Sequence, residues 1–188
     1  MILLTGIYGS GKSTLCKKIY SQIAIQHIRA SDLIYRERQV VHPQDKRIGR
    51  IAENQQYLLK GLKKIKYSAN PIVLEGHLCL LNKQHEIEYI SLSIIQQLNI
   101  SAIILLTADV HCVQKRLLTR DNVLYTIDEL TALQEAEKIY TSQIMNILHY
   151  PVLVLDDSKN PNMQQLAQFI KCAEDHTVGL YGVDCVIR

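Results

Sequence analysis

Gly6-Ile7-Tyr8-Gly9-Ser10-Gly11-Lys12-Ser13, followed by Thr14, fits the pattern G-x-x-x-x-G-K-[ST] without departure, and its reading decides the fold. Each position carries a physical requirement. Gly6, Gly9 and Gly11 let the backbone curl tightly and approach an anion, because a Cβ there would clash or forbid a positive φ. Backbone N–H groups and the positive end of the helix that follows then point at the phosphates, Lys12 reaches the outer ones and Ser13 ligates Mg²⁺. Residues 6–14 are therefore the expected binding loop for ATP.

The surroundings supply what such a loop needs, a strand before it and a helix after it. Met1 to Thr5 is a short apolar run, and Leu15, Ile19 and Ile23 recur at helical spacing. Four more apolar runs follow at intervals long enough to hold a helix: His27 to Ala30, Ile72 to Leu74, Ala102 to Leu106 and Val152 to Leu155. Continuous Ile/Leu/Val runs alternating with helices predict a parallel α/β sheet buried on both faces. Leu58, Leu62 and Ile65 mark a second amphipathic helix, and Asp109 is the expected cap of another. Thr126-Ile127-Asp128-Glu129 is a capping box opening a long helix to Leu148.

With 188 residues, 47% of them hydrophobic, the chain makes one domain with a substantial core. A lid-like segment is expected near residues 116–128, and a C-terminal tail from about residue 175 to 188. The 21 Lys and Arg exceed the 18 Asp and Glu by only three, short of the basic stripe of a duplex-binding module. No apolar run approaches the length of a membrane span and none resembles a signal peptide, so a cytoplasmic protein without a membrane partner is expected. Cys16, Cys79, Cys112, Cys172 and Cys185 are scattered and odd in number, which suggests neither a disulfide framework nor a zinc site.

In an open parallel sheet ligands sit at the C-terminal strand ends. Glu75 ends the third run and is the candidate second metal ligand beside Ser13; Gly76 allows a sharp turn behind it, and His77 would face the same cleft. Asp32 follows the second run. It would act as general base for a hydroxyl, hold an acceptor by hydrogen bonds, or cap a helix beginning at Leu33. Arg36, one turn on, would meet an acceptor phosphate or lie solvated, and the same pair of readings applies to Lys46, Arg47 and Arg50. Arg116 and Arg120, four apart, would share one helix face and stabilise the charge of a transferring phosphoryl group.

In order and spacing these motifs resemble the archaeal-type adenylate kinases of the P-loop nucleoside monophosphate kinase fold. Ile51-Ala52-Glu53-Asn54-Gln55 looks like that family's Glu-x-Gln helix, Val73-Leu74-Glu75-Gly76-His77 like its strand ending in an acid, and Arg116 with Arg120-Asp121 like its lid arginines. The resemblance implies a three-layer α/β/α P-loop NTPase fold with a five-stranded parallel sheet of order 2-3-1-4-5. It also implies ATP- and Mg²⁺-dependent phosphorylation of a nucleoside monophosphate, with Gln55 on the acceptor side. Glu75 stands where the family has Asp, Ser31 where it has Gly, and residues 120–126 lack its further lid arginines. Polynucleotide 5′-hydroxyl kinases and small-metabolite kinases share the loop and place an Asp like Asp32 as base, so a nucleic-acid 5′ end is an alternative acceptor. A slow ATPase acting through a partner is a further alternative on the same scaffold.

Overall fold

The computed structural model describes residues 1–39, 51–66 and 68–174. Five strands, β1 (Ile2–Thr5), β2 (Gln26–Arg29), β3 (Ile72–Glu75), β6 (Ala102–Thr107) and β7 (Val152–Asp156), pair in parallel in the order β2-β3-β1-β6-β7. Two short strands between β3 and β6, β4 (Cys79–Leu81) and β5 (Ile87–Tyr89), form a separate antiparallel hairpin. Counting the five parallel strands alone, their order is the expected 2-3-1-4-5; the inserted hairpin accounts for the difference in numbering. Asn82 explains how the hairpin turns without glycine or proline. Its carboxamide oxygen accepts the backbone N–H groups of Gln84 and Glu86, both at 2.9 Å, so the side chain imitates a backbone turn.

The helices are α1 (Lys12–Tyr20), α2 (Ala30–Arg38), α3 (Ile51–Lys63), α4 (Leu92–Gln97), α5 (Val110–Asp121), α6 (Ile127–Leu148) and α7 (Met163–Glu174). Strand alternation divides the core in two. Ile2, Leu4, Val73 and Ile104 face α1 and α7, whereas Leu3, Leu74 and Ile103 face α2, α3, α5 and α6. The result is the three-layer α/β/α P-loop NTPase architecture, with β1 at the centre of the sheet and the phosphate loop at its C-terminal edge.

Local signals hold where a side chain acts on its own backbone. Asp109 caps α5 by accepting the Cys112 N–H at 2.9 Å, and Thr126 and Glu129 complete the capping box of α6. Three details differ from expectation. Ile23 and Ile65 lie beyond the ends of α1 and α3, which stop at Tyr20 and Lys63. Asp32 is not the N-cap of α2, because β2 runs into the helix without a loop: Arg29 is the N-cap and Asp32 sits in the first turn. Residues 116–121 belong to the end of α5, and a short connection over 122–126 buries Tyr125 completely. Lys46, Arg47, Arg50, Cys185 and the tail from residue 175 lie outside the described residues. No helix among the described residues is long and apolar enough to cross a membrane.

Candidate active site

The phosphate loop leaves β1 at Gly6 and enters α1 at Lys12. Gly6, at φ 146°, passes so close to the carbonyl oxygen of Leu106 that a Cβ would collide with backbone. Gly6→Ala should therefore cost about 2 kcal/mol or more, read as a lowered denaturation midpoint, because neither the φ nor the neighbour can give way cheaply. Gly11, at φ 97°, lies under Asp157, with 2.6 Å between an ideal Cβ and Asp157 Oδ1. Ser10 is fully buried, and its hydroxyl has no hydrogen-bond partner among the described residues. Tyr8 turns away from the phosphate side. Its ring packs 4.8 Å from that of His77, and its phenol oxygen accepts the Leu81 N–H at 3.2 Å.

Lys12 is 5% exposed and donates to the carbonyls of Gly6 at 2.7 Å and Ile7 at 2.9 Å. Burial pulls its pKa down to about 8, against the opposing attraction of Glu75 and Glu137. The ammonium therefore begins to lose its proton as pH rises through about 8, and an arriving phosphate favours the protonated form. ATP affinity should accordingly fall above pH 8, by at most about tenfold per pH unit, with proton uptake on binding; calorimetry in buffers of different ionisation enthalpy reads both. For stability the sign is opposite. The unfolded chain holds this proton up to its ordinary value of 10.5, so the penalty for burying the charge is full below about 8 and is relieved as pH rises between the two values.

Ser13 Oγ donates to Glu75, 2.8 and 2.9 Å from its two oxygens, and His27 Nε2 lies 2.9 Å from Glu75 Oε2. Burial would raise the Glu75 carboxyl, but the His27 hydrogen bond, the Lys12 charge and the Ser13 hydrogen bond outweigh it and hold the group below its ordinary value. An ionised carboxylate and a hydroxyl beside a phosphate cradle form the hard oxygen donor set that suits Mg²⁺. Cys16 Sγ joins His27 and Glu75 within 4.8 Å, though burial pushes that thiol up to about 12.

Two cavities meet at Glu75. A cleft of about 630 Å³ is lined by Gly9, Gly11, Lys12, Ser13 and Thr14 of the loop and by Arg116 and Arg120 of α5. Arg116 donates to Gly9 O at 3.0 Å and pairs with Asp157 at 2.7 Å; Arg120 makes a two-point pair with Asp121 at 2.8 and 2.6 Å. On the other side of Glu75, a smaller pocket of about 110 Å³ has apolar walls and a polar set of Ser31, Tyr35, Asn54, Gln55, Glu75 and His77, with Gly76 in its floor. Asn54 and Gln55 are 3% and 7% exposed. Asp32 and Arg36 line neither. Asp32 is half-exposed, 3.6 Å from Arg29, and Arg36 faces a separate surface cavity with Glu37 and Lys64. Asp32→Asn should leave turnover within about threefold of wild type in steady-state assays, the size of an ordinary surface substitution.

Two acidic residues escape the sequence reading. Asp157 follows β7, at a C-terminal strand end where the rule that finds Glu75 also points. Glu137 occupies the buried stripe of α6 made by Leu130, Leu133, Thr141 and Ile144, and a charge in such a stripe is the signal that would have found it.

A model of the AAA domain family matches residues 5–134. No curated protein sequence matches the chain. Among solved structures, a gluconokinase from Sinorhizobium meliloti 1021 aligns over 96% of this chain and 94% of its own, at 13% identity and a TM-score of 0.54. A shikimate kinase from Acinetobacter baumannii covers 94% and 93%, at 17% identity and a TM-score of 0.54. A deoxyadenosine kinase from M. mycoides with bound dATP covers 93% and 98%, at 14% identity and 0.52. At these identities the likeness is one of fold.

Proposed function

The chain belongs to the AAA domain family, and from that premise we propose that it is a P-loop kinase transferring the γ-phosphoryl group of ATP to a small-molecule acceptor, a nucleoside monophosphate. The observation that carries this reading is the placement of Glu75 on the wall common to the two cavities. Such a junction suits a reaction in which two substrates meet. The larger cleft has the phosphate loop and two arginines for a polyphosphate, and the smaller pocket has apolar walls with two buried carboxamides, the chemistry that holds a nucleobase.

In this reading Lys12 and the loop amides hold the β- and γ-phosphates, while Ser13 and Glu75 hold Mg²⁺. When bound, Mg²⁺ neutralises charge on the phosphate oxygens. The acceptor base lies against Leu58, Leu74 and Gln55, which directs its phosphate to the junction, facing Lys12 and Arg120. Positioning and electrostatics do most of the chemical work. The three structural neighbours are named as kinases, which supports the reaction class.

One observation favours a second acceptor class. No Lys or Arg lines the smaller pocket among the described residues, and the Glu75 carboxylate stands at its mouth, able to accept a proton from a hydroxyl. A nucleoside, another small hydroxyl compound or a 5′-hydroxyl end would then be the acceptor, with Glu75 rather than Asp32 as the base. The deciding experiment incubates the chain with γ-phosphate-labelled ATP and a panel of nucleoside monophosphates, nucleosides, small hydroxyl metabolites and 5′-hydroxyl oligonucleotides. Label in nucleoside diphosphates supports the first reading and label in a hydroxyl compound the second. Label solely in free phosphate across the panel would sink both and leave a nucleotide-gated ATPase.

A further inference from the structure

Glu137 lines neither cavity, yet it bonds Leu78 in the wall of the smaller one and Gly6 at the start of the phosphate loop. It is 1% exposed, at mid-length of α6. One carboxylate oxygen accepts the Gly6 N–H at 3.1 Å, the Leu78 N–H at 3.0 Å and the Thr5 hydroxyl; the other accepts the Cys79 N–H at 2.7 Å. Thr5 and Gly6 open the phosphate loop, whereas Leu78 and Cys79 directly follow His77 on the acceptor side. All of these partners are donors, so only a group that accepts at both ends satisfies them. A buried charge is costly unless paired and fully hydrogen-bonded, and a residue needed only to fill the stripe would be Leu or Met. We propose that Glu137 is a positioning residue that fixes the phosphate loop and the acceptor loop in one register, so that the acceptor lies in line with the γ-phosphate.

This inference rests on the kinase reading, and it predicts a particular defect. In Glu137→Gln the carboxamide NH₂ must face either the Cys79 N–H or those of Gly6 and Leu78, so in both orientations the acceptor loop loses one of its two bonds to residue 137 and shifts relative to the phosphate loop. A misplacement of about 1 Å between reacting groups costs on the order of 10²-fold in rate. Thr141→Val is the control, since it removes a hydroxyl from an equally buried position of the same stripe, one that bonds the Glu137 backbone carbonyl and neither loop.

The experiment measures, for the full chain, ATP affinity by calorimetry and the ratio of label transferred to acceptor over label released as free phosphate. Glu137→Gln should lose transfer about 10²-fold and the ratio at least about tenfold, with ATP affinity within about threefold; Thr141→Val should keep the wild-type ratio. An unchanged ratio in Glu137→Gln, or an equal shift in Thr141→Val, overturns the proposal. A second measurement needs neither acceptor nor variant. Binding of a non-hydrolysable ATP analogue with Mg²⁺ to the wild-type chain should slow amide exchange at Leu78 and Cys79 together with Gly6. Protection confined to the phosphate loop would count equally against Glu137. Should wild type release only free phosphate, the kinase reading fails while the exchange result still judges the role of Glu137.

Discussion

Lys12→Ala loses phosphoryl transfer by about 10³-fold or more in kcat/KM, equivalent to ~4 kcal/mol of transition-state stabilisation. The size follows from where the ammonium sits. It is buried, held at 2.7 and 2.9 Å by two carbonyls of the loop, and aimed at the cradle that Gly9 and Gly11 leave open. In such a low-dielectric position a single charge is worth far more to a developing phosphate charge than in water. Folding is affected much less, because the variant also removes the penalty of burying that charge. Steady-state kinetics with labelled ATP and a denaturation curve together check the claim. Transfer within tenfold of wild type in a folded Lys12→Ala protein would remove the loop from the centre of the reaction. Lys12→Arg does not rescue, since a planar guanidinium cannot enter a cradle shaped around an ammonium.

The arginines of α5 give the second large effect. Arg116→Ala and Arg120→Ala should each lower kcat by about 10³-fold while KM for ATP changes less, the behaviour of groups that act on charge in the transition state. Both side chains are about half exposed, at 46% and 58%, so neither holds the fold together. Their present partners are Asp157 and the buried Asp121, but water reaches the half-exposed arginine side of each pair and screens it, so a phosphoryl group can displace it. Because the two act on one group, the double variant should cost little more than the worse single one. A rise in KM with kcat unchanged would instead assign both arginines to ground-state binding of the nucleotide.

What the sequence made legible depends on how locally each feature is specified. Residues 6–13 were readable because the glycines, Lys12 and Ser13 answer requirements of one anion within a short stretch of backbone, while Ile7 and Tyr8 pack inward. The five parallel strands were readable as apolar runs, and Glu75 as the acid ending one of them. The acceptor side was harder, because the phase of α2 depends on where it starts. With its first residue at Ala30, positions 31, 34 and 35 face the pocket, which carries Asp32 and Arg36 away from it. Glu137 bonds Gly6, 131 positions earlier, and Asp157 pairs with Arg116 on a different element, and no spacing rule spans such distances. The β4–β5 hairpin hid for another reason, since a side chain stands in for the turn residues that usually announce one.

The central position of β1 has a consequence for the order in which the protein can take shape. Ile2 pairs with Val73 on one side and Ala102 on the other, and both partners follow it in the chain, so β1 is apolar on both faces and open along both edges until they are made. These are contacts of long sequence separation, which form slowly and leave strand edges exposed in the meantime. Gly6 has in addition to await α6 before its N–H finds Glu137. The phosphate loop is thus synthesised well before the helix that completes its hydrogen bonds. A nascent chain released before about residue 140 would carry the whole signature of a nucleotide site and be unable to bind one.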